Sequence, residues 1–143
     1  MKKFAAVFIL MLSIISCSND DKDSKQSSGY YGKWELSKYT TTFIQAIYIA
    51  GEPQWKEYYD FKEDNTFVKT RIQNGATKTA SGTFLTIKDQ NQTQFKLTYS
   101  GASDIVGSCL GNESEELILD DKGILSSTWR YCDGPGFEYK KIK

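Results

Sequence analysis

Histidine is absent from the 143-residue chain. Without an imidazole there is no Ser/His or Cys/His nucleophile arrangement. With Cys17, Cys109 and Cys132 as the only thiols, the sequence also argues against a metal site of the Cys/His kind. No serine is followed three residues later by lysine, so a Ser-x-x-Lys nucleophile is missing. Gly134-Pro135-Gly136 lacks the further glycine of a dinucleotide loop, and no phosphate loop occurs, so no cofactor is implied. Excess charge of either sign is missing too. Lys+Arg number 18 against 18 Asp+Glu, with no basic stripe, which argues against nucleic acid as a partner. No apolar run reaches the roughly 20 residues of a bilayer-spanning helix.

What is present begins with Lys2-Lys3 and an apolar stretch, Phe4 to Ile15, broken only by Ser13. A basic start, a short apolar middle and a small residue at the end form the pattern of a secretory signal peptide. Then comes Ile14-Ile15-Ser16-Cys17: a branched apolar residue, a second apolar residue, a small residue and cysteine. This resembles the lipobox of bacterial lipoprotein precursors. The resemblance covers residues 1 to about 23 and implies cleavage after Ser16, thioether diacylglycerol on Cys17 and acylation of the new amine. Each buried methylene contributes roughly 0.8 kcal/mol, so two or more chains hold firmly where one holds marginally. An ordinary signal peptide with an incidental cysteine is the plainer alternative. Residue 18 is Ser, not Asp, so the inner-membrane retention signal of enteric lipoproteins is absent. Asn19-Asp20-Asp21-Lys22-Asp23 resembles the surface-export signal of some Gram-negative lipoproteins; a solvated spacer is the other reading. The expected location is the outer membrane, held by lipid, with the domain on the outer face if the export reading holds.

Three segments follow: a signal peptide over 1–16, a lipidated flexible tether over 17–29, and one domain over 30–143. Ser18 to Gly29 contains no apolar residue, and its 12 residues reach at most about 40 Å when extended. Removing Lys2 and Lys3 with the leader leaves 16 basic against 18 acidic residues, so an anionic membrane surface would not attract the domain. With Cys17 spent on lipid, Cys109 and Cys132 remain, and an even pair in an exported domain argues for a disulfide over two free thiols. Closing the 24 residues from Cys109 to Cys132 inclusive is worth roughly 3.5 kcal/mol by chain entropy.

From Tyr30 onward, aromatic and β-branched residues recur at period two between turn residues. The pattern predicts eight strands: Gly32 to Thr41, Gln54 to Phe61, Thr66 to Gln73, Thr79 to Lys88, Thr93 to Tyr99, Glu115 to Asp120, Ile124 to Cys132 and Phe137 to Ile142. Inward faces carry Trp34 and Leu36; Trp55, Tyr59 and Phe61; Phe95, Leu97 and Tyr99; Leu125, Trp129 and Tyr131; Phe137 and Tyr139. Asn74-Gly75 is the strongest hairpin signal, since both residues tolerate positive φ, and Asp133-Gly134-Pro135-Gly136 is a second strong turn. Phe43 to Ile49 shows no clean period and reads as a strand extension, a short helix or a lid. Tyr99 to Gly111 is a longer loop that a disulfide would pin to the end of the seventh strand. Eight sequential hairpin-linked strands suit an up-and-down antiparallel barrel, whose closure removes exposed edges; a flattened sandwich is the competing architecture.

Tyr31-Gly32-Lys33-Trp34-Glu35-Leu36 resembles the Gly-x-Trp opening of lipocalins and lipocalin-like bacterial domains. Phe61-Lys62-Glu63-Asp64-Asn65-Thr66-Phe67 is similar to their apolar–turn–Thr–Phe hairpin, and Ser81-Gly82-Thr83-Phe84 to their Gly-Thr-aromatic strand start. Cys132-Asp133-Gly134 with Phe137-Glu138-Tyr139-Lys140 resembles the end of small lipocalin-like lipoproteins. The resemblance spans Tyr30 to Lys143 and implies an eight-stranded barrel with Trp34 plugging its closed end. It also implies a basic residue from the last strands packed on that Trp, for which Arg130 is the candidate, although alternation places Arg130 opposite Trp129.

Two readings stay open for Tyr59, Phe61, Phe95, Tyr99, Trp129 and Tyr131: core packing, or the lining of a calyx for a small hydrophobic ligand. The carboxylate pairs Glu63-Asp64, Glu115-Glu116 and Asp120-Asp121 fall at turns or strand ends, where solvated charge is the ordinary explanation. An enzyme would need a carboxylate pointing into the barrel, and the chain reads as a non-enzyme. The roles carried forward are a lipid-anchored module binding a small hydrophobic ligand, or a protein-interaction or protease-inhibitor-like module with a packed barrel, in either case as a monomer.

Overall fold

The structure is a computed structural model that describes residues 29–41, 49–51 and 53–142. The segments read from the sequence as a signal peptide and a tether, with Cys17, lie outside the described residues before Gly29, as does Phe43 to Tyr48.

Period-two alternation gives nine strands: β1 (Gly32–Thr41), β2 (Ile49–Gly51), β3 (Lys56–Phe61), β4 (Thr66–Gln73), β5 (Ala76–Asp89), β6 (Gln92–Tyr99), β7 (Ser114–Asp120), β8 (Ile124–Ser127) and β9 (Gly136–Lys141). β2 and β3 follow one another along the same edge of β1, opposite Tyr39–Thr41 and Gly32–Glu35 respectively, so they share one stave. Each later strand pairs antiparallel with its sequence neighbour, and β9 returns to β1 from Trp34↔Lys141 to Thr40↔Gly136. The result is an eight-stave closed antiparallel barrel, the all-β architecture that the sequence predicts.

Turn chemistry sets the hairpins. Asn74 and Gly75 take φ of 53° and 78°, joining β4 to β5 in the two-residue geometry whose twist matches the strands. Asn65 (φ 61°) closes the β3–β4 turn, where Asp64 Oδ1 accepts from the Thr66 amide at 2.9 Å. Gly123 (φ 77°) closes β7–β8, with Asp120 Oδ1 accepting from Ile124 N at 2.8 Å.

One predicted strand ends early. The segment read as Ile124 to Cys132 leaves the sheet after Ser127, and Trp129–Cys132 forms a 3-10 turn. Thr128 N donates to Glu116 O at 3.1 Å as the last bond in this register, and its Oγ1 donates to the same carbonyl at 3.1 Å. Asp133 then turns left-handed (φ 68°), and its amide donates to Trp129 O. The indole of Trp129 lies between Gly107 and Gly134, where a Cβ on either would overlap it. A continuing strand would have no such slot for the ring.

Inward positions make one core: Trp34, Leu36, Tyr59, Phe61, Phe67, Phe84, Phe95, Leu97, Tyr99, Leu117, Leu125, Phe137 and Tyr139 are all buried. Toward the Trp34 end the interior is aromatic. Phe61 has ring centroids at 5.0 Å from Phe84, 5.1 Å from Phe95 and 5.7 Å from Tyr59. Such edge-on and offset pairs add about 0.5–1.5 kcal/mol each beyond the area they bury.

Candidate functional site

The other half of the interior is polar. On β3, alternation that buries Tyr59 and Phe61 also buries Glu57; on β4 the parity of Phe67 brings in Lys69 and then Arg71; on β7 the parity of Leu117 brings in Glu115. Glu57, Lys69 and Glu115 are fully buried, and Arg71 reaches from the rim. This corrects the solvated reading of Glu115: its neighbour Glu116 faces out, while Glu115 faces the barrel axis.

The chamber is closed on itself. Lys69 Nζ lies 3.1 and 3.2 Å from the two carboxylate oxygens of Glu115 and 3.4 Å from Glu57 Oε1. Glu115 also accepts from Tyr59 Oη (2.6 Å), Tyr99 Oη (2.5 Å) and the Gly107 amide (3.3 Å). Glu57 accepts from Tyr139 Oη (2.6 Å), Trp55 Nε1 (3.3 Å) and Arg71 Nε. Two carboxylates therefore meet two cations, and no described buried side-chain polar atom lacks a partner. A buried charge is tolerated only on such terms.

Electrostatics follow from burial and neighbours. Burial pushes the Glu57 carboxyl up, but the attraction of Lys69 and Arg71, with hydrogen bonds from Tyr139 and Arg71, outweighs it and leaves the group below its ordinary range. Burial, reinforced by the adjacent carboxylates, holds the phenols of Tyr59, Tyr99 and Tyr139 far above theirs, so they stay donors. The carboxylates have the residue types of acid–base chemistry, but their lone pairs are already committed.

The loop between β6 and β7, residues 100–113, forms a strap over this end. Ile105, buried, sits in the mouth and its carbonyl accepts from Arg71 at 3.5 Å. Asp104 pairs with Lys78 on the β4–β5 hairpin. The Cys109–Cys132 disulfide (2.00 Å) ties the strap to the 3-10 turn, as the cysteine pairing predicts.

The sequence-designated residues divide accordingly. Tyr59, Phe61, Phe95 and Tyr99 lie inside the barrel, where rings and the Glu115 hydrogen bonds occupy them. Trp129 is half-buried at the strap, its ring centroid 6.0 Å from that of Phe137. Tyr131 is outside the barrel and 67% exposed, because the 3-10 turn carries it off the inward parity. Trp34 is buried at the end where the chain enters, and its Nε1 donates to Tyr30 O at 2.8 Å. Arg130 does not reach it. Arg130 is exposed beside Tyr131 and close to Gly136, the partner of Thr40 at the opposite end of β1. The basic residue facing Trp34 across the ladder is Lys141, whose Nζ donates to Gly29 O at 2.7 Å.

A cleft of about 670 Å³ opens beside Trp34 and Lys141, lined also by Tyr30, Lys88, Asp120 and Asp121. Asp120 is already engaged in the β7–β8 turn. Compared with family models, curated proteins and solved structures, the chain matches none.

Proposed function

We propose that this chain is an outer-membrane lipoprotein whose lipocalin-like barrel is filled, and that it works as a protein-interaction module through its loops and outer wall. The observation that carries this is the interior. The four calyx candidates on the barrel strands are buried against one another or bonded to Glu115, and the remaining inward space holds a self-neutralised charge cluster. A ligand site is a cavity lined mainly by apolar groups with a few polar ones left to orient the guest. Here the polar groups answer each other.

The same balance supports a non-enzymatic role. Inward carboxylates exist, yet Glu57 and Glu115 are each fixed by a cation and at least one tyrosine, which leaves neither of them a free base. The outward positions of β6, including Lys96 and Thr98, are polar, whereas a membrane-spanning barrel turns its apolar side out. The lipobox resemblance supports the anchor, and the chain enters the barrel at Gly29, fixed by Lys141.

The test is native mass spectrometry of the full chain after incubation with palmitic acid. No one-to-one adduct beyond the mass of the processed chain is expected; a stoichiometric adduct would favour the calyx. Labelled palmitate should enter the wild-type chain and not Cys17→Ala. Equal labelling of the two would remove the anchor.

A further inference from the structure

Exposed large apolar side chains are not scattered evenly. Of the five among the described residues, Leu85 (71%), Ile87 (49%), Leu110 (65%) and Tyr131 (67%) gather around one wall, formed by β5 to β8 and the disulfide-tied loop, while Ile72 lies apart on β4. Register aligns the outward residues in two rows. One runs Leu85, Lys96, Glu116; the next runs Ile87, Gln94, Ile118, Ser126. Thr128 continues the first row by bonding Glu116 O. Above the rows, a groove of about 320 Å³ is lined by Gln94, Cys109, Leu110, Ile118, Thr128 and Tyr131. Apolar side chains clustered on one exposed face mark an interaction site.

We propose that this wall pairs with the same wall of a second copy of the chain, about a two-fold axis that runs along the strands between β6 and β7. Charge pattern selects this occupant. Lys96 on β6 and Glu116 on β7 stand side by side, 3.9 Å apart, at the middle of the wall. An axis between them places each Lys96 on the partner's Glu116 and each Glu116 on the partner's Lys96. The same rotation brings Leu85 and Ile87 onto the groove side of the other copy, where Leu110 and Tyr131 project. An isologous interface needs this self-complementarity.

The chain's point of exit agrees. An axis parallel to the strands leaves the two copies pointing the same way, with both Gly29 residues at the same end. Two tethers of 12 residues from Ser18 to Gly29 then leave toward one surface, as two anchors in one bilayer require. An axis perpendicular to the strands would point them apart. The proposal adds a partner to the interaction reading, but it does not depend on the anchor and departs from the expected monomer.

Sedimentation equilibrium of the full chain in density-matched detergent tests it. Wild type is expected to self-associate to a dimer. Lys96→Glu and Glu116→Lys should each weaken association at least tenfold, because each places like charges opposite. Mixed in equal amounts, the two variants should recover it, since every cross-contact again joins unlike charges. Unchanged melting temperatures confirm that both fold. A wild type that stays monomeric, or a mixture no tighter than either variant alone, overturns the proposal. Neither outcome bears on palmitic acid binding, so the two readings fail separately.

Discussion

Lys69→Met removes the cation at the centre of the chamber while keeping most of the stem's volume. Glu57 retains Arg71, but Glu115 is left with two phenols and one amide and no counter-charge. Removing one partner of a buried ion pair destabilises by about 3–5 kcal/mol. An independent ceiling comes from protonation. A carboxyl of ordinary pKa takes up a proton at pH 7 for about 3.7 kcal/mol, and it will do so before its burial as an ion costs more. The two figures agree, and they amount to a large share of a typical domain's stability. The ceiling also falls with pH, to about 1 kcal/mol at pH 5. Urea unfolding followed by tryptophan fluorescence should therefore show Lys69→Met about 3–4 kcal/mol less stable than wild type at pH 7, and much closer to it at pH 5. Adding Glu115→Leu, Tyr59→Phe and Tyr99→Phe should recover part of the loss, because no hydroxyl or charge is then orphaned and the Gly107 amide alone loses its acceptor. A loss under about 1 kcal/mol at pH 7, or one that does not shrink at pH 5, would refute the account of a dry, mutually neutralised cluster.

Three further outcomes follow from the same structure. Cys109→Ser with Cys132→Ser should lower unfolding free energy by roughly 3.5 kcal/mol, and a change in urea midpoint worth less than about 1 kcal/mol would mean the strap is held without its bridge. Trp34→Ala, which deletes a buried indole and its bond to Tyr30 O, should cost about 3–5 kcal/mol; a near-neutral result would mean that end of the barrel is not packed on Trp34. Glu57 titrates below its ordinary value of 4.5 because Lys69 and Arg71 outweigh its burial, so its contribution is complete above that pH and is lost as pH falls through the lower native value. Wild type should lose stability in that acid window more steeply than Glu57→Gln, and parallel curves from pH 5 to 2 would contradict the assignment.

The barrel is legible in the sequence because its strands alternate and its turns are chemically marked. Tyr59-Asp60-Phe61, Phe95-Lys96-Leu97-Thr98-Tyr99 and Phe137-Glu138-Tyr139 each announce an inner face, and Asn74-Gly75 announces a hairpin. The polar chamber is not legible in the same way. Glu57, Lys69 and Glu115 share parity with buried rings, which is the available signal, yet charge at an inward position argues locally for exposure. What permits burial is their mutual neutralisation, and the oppositely charged partners lie 12 to 46 residues apart in the chain. Trp129 and Tyr131 alternate like strand residues, but the glycines that make room for the indole come from two separate segments. Lys141 could have been preferred to Arg130 only with the β1–β9 register in hand.

The chamber has a consequence for how the strands find their alignment. Aromatic rings are forgiving: slide one strand by two residues and another ring arrives where the first stood. Four charges of alternating sign are not forgiving. A one-residue slip of β4 against β3 would throw Lys69 to the solvent face and strand two acids in the dark; a slip of two would offer Phe67 or Arg71 in its place. A single threading of β3, β4 and β7 cancels the charge, so a near-miss pairing that greasy side chains alone would let pass would here leave a buried charge unanswered.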